Sequence, residues 1–439
     1  MIGWLNAITN DTGFEKRSTL RPVQTQLPHI GLVPDFVMDT TEKSGIDFYS
    51  TALIQALSKT GTTRRFTIFI PRERLKDFPG LASRLRVVTI PRIFASGLLN
   101  IFWYLFLLPF QAYWYRIDLL HLFAGNRRMT WFPRGKMLAT VHDVFHFEHQ
   151  EIYSFPRFVF FRAIIAPLLK RQRHLVADSH ATKHDIERLL GVPGSSIGVI
   201  HLGFDAARLL AQETGNEGVQ VRKEYKLTRP FLLYVSALDH PRKNHLTLLE
   251  AYEILLKSNP DVPDLVFVGP DFFHAEKIHH AIQRPSLGGR VHALGYVPDQ
   301  LLPSLYREAM LFVHPSPLEG FGYPLVEAMA FGLPVVCADT EIFREIGGEA
   351  PVFFDPKHPE DIASKIAMVL ADPKLQEERC LKGLEQAKRY QSDVGVGELL
   401  RLYDAITQHQ SRQREDAKAE SASSSHSSLD RIERRTPGA

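Results

Sequence analysis

Short runs of β-forming residues alternate with helical stretches twice over along the chain, and this alternation limits its fold more than any other feature. The first series runs through 29–33, 66–70, 86–90, 119–123, 137–141, 174–177 and 197–200. The second runs through 231–235, 265–268, 291–294, 311–314, 334–338 and 352–354. Strands separated by helix-length segments predict parallel sheets with crossover helices, an α/β class. In the first intervening helix, Ile46, Tyr49, Leu53, Ile54 and Leu57 recur at three or four residues and form one sheet-covering face. Between Asp205 and Thr228 the pattern breaks into polar residues around Gly215 to Gly218 with no strand signal.

The expected division is a flexible leader over 1–27, an α/β domain over 28–205, a linker over 206–228 and a second α/β domain over 229–392. An amphipathic helix over 393–407 and a disordered polar tail over 408–439 complete it. The leader lacks the continuous apolar core of a secretory signal. The most apolar run, Gly97 to Phe110, is interrupted by Asn100 and Pro109 and falls short of the roughly 20 residues that cross a bilayer. With 52 basic against 49 acidic residues, the net charge of +3 excludes a general nucleic-acid binder, which needs a concentrated positive stripe. Cys337 and Cys380 alone make neither a zinc site nor a disulfide framework, and a reducing cytoplasmic compartment fits them.

The stretch Glu319-Gly-Phe-Gly-Tyr-Pro-Leu-Val-Glu327-Ala-Met-Ala-Phe-Gly332 lies between two strand runs. Pro324 suits a first helical position and Gly332 the position past the end, which predicts a short helix over 324–331. Free amides and the helix dipole at its start make Tyr323, Pro324, Leu325 and Val326 a seat for a diphosphate. Glu319 precedes that start and Glu327 follows it, placing two carboxylates at different depths. Taken singly, each is equally a surface or loop acid. A second cluster, Pro241-Arg242-Lys243-Asn244, follows the strand run 231–235, where paired cations can neutralise a leaving diphosphate; its plainer reading is an exposed basic turn.

Two glutamates with seven residues between them in this frame resemble the family-four retaining glycosyltransferases. The resemblance implies a GT-B fold, two Rossmann-like domains facing across a cleft, with a nucleotide-sugar donor in the second domain. It implies that Glu319 contacts the transferred hexose, that the backbone of Gly320, Phe321 and Gly322 holds its hydroxyls, and that Glu327 hydrogen-bonds the donor ribose. Lys243 would hold the donor phosphates with Arg242 as the weaker partner. Many members carry an Arg directly after the first strand of this domain, where this chain has Ala237, one cation fewer. Gly295-Tyr296-Val297-Pro298 resembles the loop beside the nucleotide base, read by the backbone of Tyr296 and Val297, and is equally a simple strand exit.

In the first domain His142, followed by Asp143, stands at a strand end, where open α/β sheets bind ligands. A lone histidine is more often structural, but the family places one here facing the sugar, so Glu319, His142 and Lys243 are the candidate catalytic residues. Gly45, with Ser44, resembles the glycine-bearing first loop near donor and acceptor; the usual glycine pair is reduced, and the Arg often found three residues on is Phe48. Two apolar segments, 101–110 with Trp103 and Trp114, and 155–169 with Arg157, Arg162, Lys170, Arg171 and Arg173, admit two readings: peripheral contact with an anionic membrane face, or burial against the first sheet.

No Asp-x-Asp occurs, so no metal and no cofactor are expected, and diphosphate charge falls to Lys243, Arg242 and the helix start. The Pro-Arg-Lys-Asn and Glu-Gly-Phe-Gly-Tyr-Pro frames resemble the mannosyltransferase branch and favour GDP-mannose, with glucose, rhamnose and N-acetylglucosamine donors open. The expected acceptor is a polysaccharide or lipid-linked saccharide. The rival readings are a nucleotide-sugar hydrolase or epimerase on the same fold, and a non-catalytic partner subunit. A nicotinamide dehydrogenase is disfavoured because no Gly-x-Gly-x-x-Gly follows the first strand.

Overall fold

The computed structural model describes residues 28–35, 45–60, 64–94, 97–132, 137–148, 155–201, 217–391 and 394–408. Seven strands form the first sheet: β1 (His29–Val33), β2 (Arg65–Pro71), β3 (Arg86–Ile90), β4 (Leu119–Leu122), β5 (Met137–Val141), β6 (Leu175–Ala177) and β7 (Ile197–Val199). Six form the second: β8 (Phe231–Val235), β9 (Asp264–Val268), β10 (Val291–Ala293), β11 (Leu311–His314), β12 (Val335–Ala338) and β13 (Val352–Phe354). All pairings are parallel, in the orders β3-β2-β1-β4-β5-β6-β7 and β10-β9-β8-β11-β12-β13. Fully buried runs such as β1, β5, β9 and β11 follow, because helices cover both faces of such sheets.

Each sheet reverses its strand order once, between β1 and β4 and between β8 and β11. Loops leaving the carboxyl ends of strands at such a reversal diverge and open a crevice. In the first domain those loops begin at Pro34 and Phe123, and in the second they carry Ser236–Asn244 and Pro315–Gly322. Leu53, Ile54, Ile30, Phe66 and Phe123 of the first domain share one core with Val396, Leu399, Leu402, Tyr403 and Ile406. The helix 394–408 thus returns to the first domain, tied also by Arg64 to Asp404 at 2.5 Å.

Part of the stretch expected as a linker is ordered. Glu217–Glu224 is helical, buries Val221 in the core of the second domain and pairs Arg222 with Glu308 at 2.5 Å. Residues 202–216, Ser44, the leader and the polar tail lie outside the described residues. The segments 97–114 and 155–170 are helices that each widen into a π turn, Trp103–Leu107 and Phe161–Ile165. Both turns end just before Leu108-Pro109 or Ala166-Pro167, where a proline can neither donate its amide nor tolerate the carbonyl four residues back.

Candidate active site

The second domain's wall is built on the carboxyl ends of β8 and β11. Lys243 and Glu319, 76 positions apart, meet there: Lys243 Nζ donates to Glu319 Oε1 at 2.5 Å, with both side chains largely buried. His314, the last residue of β11, reaches the same oxygen at 3.2 Å. Burial opposes the charge on Glu319, but Lys243 and His314 outweigh it and hold its carboxyl well below the usual range. Burial lowers Lys243 despite the opposing pull of Glu319. Arg242 donates to Asp239 Oδ2 at 2.7 Å, and the turn carrying both cations is fixed by Asn244, whose Nδ2 donates to Pro315 O (3.1 Å) and Pro356 O (2.8 Å). Asn244 adopts φ +56°, one of the few side chains that tolerates it.

Gly322, at φ +84°, starts the helix Tyr323–Ala330, and a Cβ there would stand 2.8 Å from the Phe343 ring. The Leu325 amide donates to Gly322 O at 3.0 Å, and the Leu325 and Val326 side chains are core. Glu327 accepts from the Tyr306 hydroxyl at 2.7 Å. Val297 is buried beside Tyr296, whose hydroxyl donates to Asp299 at 3.4 Å, at the end of β10. Gly45 opens the helix Gly45–Lys59, which buries Tyr49 against the His142 ring at 4.4 Å.

The first domain supplies His142, just past β5, and its ring is not open to a ligand on either nitrogen. Nδ1 lies 2.5 Å from Asp178 Oδ2 and Nε2 lies 2.7 Å from Phe123 O. Asp178 Oδ2 and Phe123 O can both accept, so a ring that donates from both nitrogens fits this geometry. Burial lowers its affinity for the second proton, but Asp178 outweighs this and raises it. The group of His142 that meets the opposite domain is its backbone carbonyl. A Cβ on Gly320 would stand 2.0 Å from that oxygen, and the hydroxyls of Ser179 (3.0 Å) and Thr182 (3.1 Å) donate to Gly320 O. Glu319's loop is therefore seated on the ends of β5 and β6.

The family profile described as Glycosyltransferase Family 4 matches residues 44–208, and that described as Glycosyl transferases group 1 matches 219–382. The O-antigen chain mannosyltransferase B of Escherichia coli is 30% identical over 272 residues, covering 62% of this chain and 71% of that protein. The chain belongs to the family-four glycosyltransferases. Two solved structures show the same GT-B fold. The sucrose-phosphate synthase of Thermosynechococcus elongatus has a TM-score of 0.66 at 20% identity, covering 86% of this chain and 99% of that one. Anabaena Alr3699/HepE, in complex with UDP and glucose, has a TM-score of 0.65 at 18% identity, covering 85% and 98%.

In this glycosyltransferase several residues around the site carried no separate signal in the sequence. Asp178, His314 and Tyr306 act as partners of residues that motifs do mark. A strand-end rule finds two of them: His314 closes β11, and Asp178 follows β6 beside the strand that carries His142. Among the described residues no group of three or more His, Cys, Asp or Glu side chains converges as a metal site.

Glu327 carries a pH dependence. Burial pushes its carboxyl up to about 7, against the opposing Tyr306 hydrogen bond. If Glu327 accepts from the donor ribose, that bond favours the charged form and donor binding lowers its pKa. The affinity gain is then present above about pH 7 and lost as pH falls through that value, at most tenfold per unit. Donor KM in the wild type is expected to rise between about pH 8 and pH 6, and to be flat in that window in Glu327→Gln. A wild-type KM that does not change across the window contradicts ribose recognition by Glu327.

Proposed function

We propose that this glycosyltransferase moves mannose from GDP-mannose, with retention and without a metal, onto a polysaccharide or lipid-linked saccharide. The observation that carries the reading is the Lys243–Glu319 pair at 2.5 Å, between the strand ends of the second domain and beside a helix start. In the free enzyme each neutralises the other. A donor diphosphate draws Lys243 and Arg242 towards itself, aided by the amides from Gly320 to Tyr323, and releases Glu319 to accept from hexose hydroxyls. The His142 ring and its carbonyl wall the opposite side. Similarity to the O-antigen mannosyltransferase supports the sugar and the acceptor class. The UDP-bound neighbour of like fold supports a nucleotide-sugar in this cleft.

In the step itself the bond between the anomeric carbon and the diphosphate oxygen breaks and a bond to the acceptor oxygen forms on the same face. The acceptor proton passes to the departing diphosphate oxygen, whose charge Lys243, Arg242 and the helix start bear in place of a divalent ion. Product formed from α-linked GDP-mannose, in buffer containing EDTA, tests this through its one-bond carbon–hydrogen coupling. An α-linkage made at undiminished rate supports the reading. A β-linkage, or loss of activity restored by a divalent cation, overturns it.

The acceptor side faces an anionic membrane, and the enzyme works at the inner face of a bilayer. Leu98, Phe102, Phe106, Phe110 and Trp114 recur every four residues and are exposed, from 83% at Leu98 to 45% at Phe102. Their helix buries its other face, with Trp103, Tyr104, Leu108 and Ala112, in the same cluster as Phe161, Ile165 and Leu169 of the second segment. Both segments therefore lie on one side of the sheet, and the second adds exposed Phe155 with Arg157, Arg162, Lys170 and Arg171. No helix among the described residues is long and apolar enough to cross a membrane. Sedimentation with phosphatidylglycerol-containing vesicles, and not with pure phosphatidylcholine, is expected, and loss by about tenfold in the double variant Phe106→Glu, Phe110→Glu. Equal sedimentation of wild type and variant contradicts it.

A further inference from the structure

The five residues after β6, Asp178 to Thr182, are bonded at every position to the cleft wall or across it. Asp178 holds the His142 ring, and the hydroxyls of Ser179 and Thr182 donate to Gly320 O. Between them, the amides of His180 and Ala181 donate to the two oxygens of Glu345, at 2.7 and 2.9 Å. These are the opening amides of the helix His180–Leu190, which have no partner within their own helix. Ser179 caps that helix locally by accepting from the Thr182 amide at 3.0 Å, which leaves the first two amides to another acceptor.

That acceptor comes from the other domain. Glu345 stands in the helix Glu341–Gly347, beyond β12, and its Oε1 also accepts from His201 Nε2 at 2.7 Å, just after β7. The His201 ring packs at 6.2 Å from Phe321 and 5.6 Å from Tyr390, also residues of the second domain. Burial pushes the Glu345 carboxyl up, but His201 and the two amides outweigh it and hold the group below the usual carboxylate range. A carboxylate on a helix start also gains from the helix dipole. Half of this helix cap is thus built in one domain and half in the other.

We propose that Glu345 is a positioning residue that latches the two domains together and so seats the Gly320 loop, and with it Glu319, against His142. The latch exists only while the domains are closed, because opening returns a carboxylate and two helix-start amides to water. Donor binding to the second domain does not use it. Its kinetic consequence rests on the donor reading given above, whereas its effect on domain arrangement does not.

The test compares the full chain with Glu345→Gln and Glu345→Ala by small-angle X-ray scattering, without ligand and with GDP as the probe, alongside GDP titration and donor turnover. The variants are expected to show a larger radius of gyration without ligand, GDP affinity within about threefold of wild type, and a loss of about tenfold carried by kcat. Scattering unchanged in a folded variant overturns the proposal, whether or not any nucleotide-sugar is turned over, so failure of the donor reading leaves the latch testable. Lower thermal stability with unchanged scattering reduces Glu345 to a structural cap and equally overturns it. If Glu345→Ala does not fold, Glu345→Gln, which keeps the side chain's length and one acceptor oxygen, carries the same comparison.

Discussion

Replacing Gly320 by alanine is expected to lower kcat/KM by about a hundredfold while leaving both domains folded. A Cβ at this position would stand 2.0 Å from the His142 carbonyl oxygen, in the opposite domain. The obstacle is backbone on both sides, so no rotamer change relieves it, and the two domains must move apart. Within its own domain Gly320 is not held at a positive φ, so the added methyl group strains nothing locally. Closure is where the penalty falls. On the proposed placement of the donor in the second domain, nucleotide binding should change by no more than about threefold. Equal kcat/KM in the variant and the wild type would show that the closed contact between Gly320 and His142 is not on the reaction path.

The second large effect concerns the buried pair. Lys243→Ala leaves Glu319 charged and without its cation, which costs about 3 kcal/mol or more of stability in the second domain. On the proposed role of Lys243 as the cation that bears the charge of the departing diphosphate, turnover is expected to fall further, by about a thousandfold. The double variant Lys243→Met, Glu319→Gln separates the two consequences. It removes both charges at similar volume, and its unfolding midpoint is expected near that of the wild type while its turnover stays as low as that of Lys243→Ala. Thermal unfolding and donor turnover on the three proteins decide this. A double variant that regains activity together with stability would make the pair structural and remove it from the chemistry.

Much of the architecture was legible in the sequence, and the reason differs between parts. The thirteen strands among the described residues fall where β-forming runs were read, within a residue or so at each end, because they are short runs of β-forming residues, most of them apolar and buried. The helix Tyr323–Ala330 was marked by Pro324 and Gly332, whose backbone preferences act locally. The helix Glu217–Glu224 was missed because the buried anchor described in it, Val221, sits among polar residues, and its stability comes from contact with the second domain.

The first apolar segment of the first domain packs one face only: Trp103, Tyr104 and Leu108 are core, whereas Phe102, Phe106 and Phe110 are exposed. In the candidate site, motifs marked Lys243, Glu319, Glu327 and His142 but not the side chains that hold them. Asp178 lies 36 positions from His142, and Tyr306 lies 21 from Glu327. Such pairs are created by strand order, which a single sequence does not display. The same holds for Glu345, whose partners His180, Ala181 and His201 belong to the other domain.

The most direct test of the central claim is nucleoside diphosphate release from a panel of nucleotide-sugars by the purified protein, with and without chelator, repeated with Glu319→Ala and Lys243→Ala. The account predicts release from GDP-mannose that persists in chelator and is lost in both variants. Folded protein that binds and turns over none of the panel, or variants that release diphosphate at the wild-type rate, would contradict it.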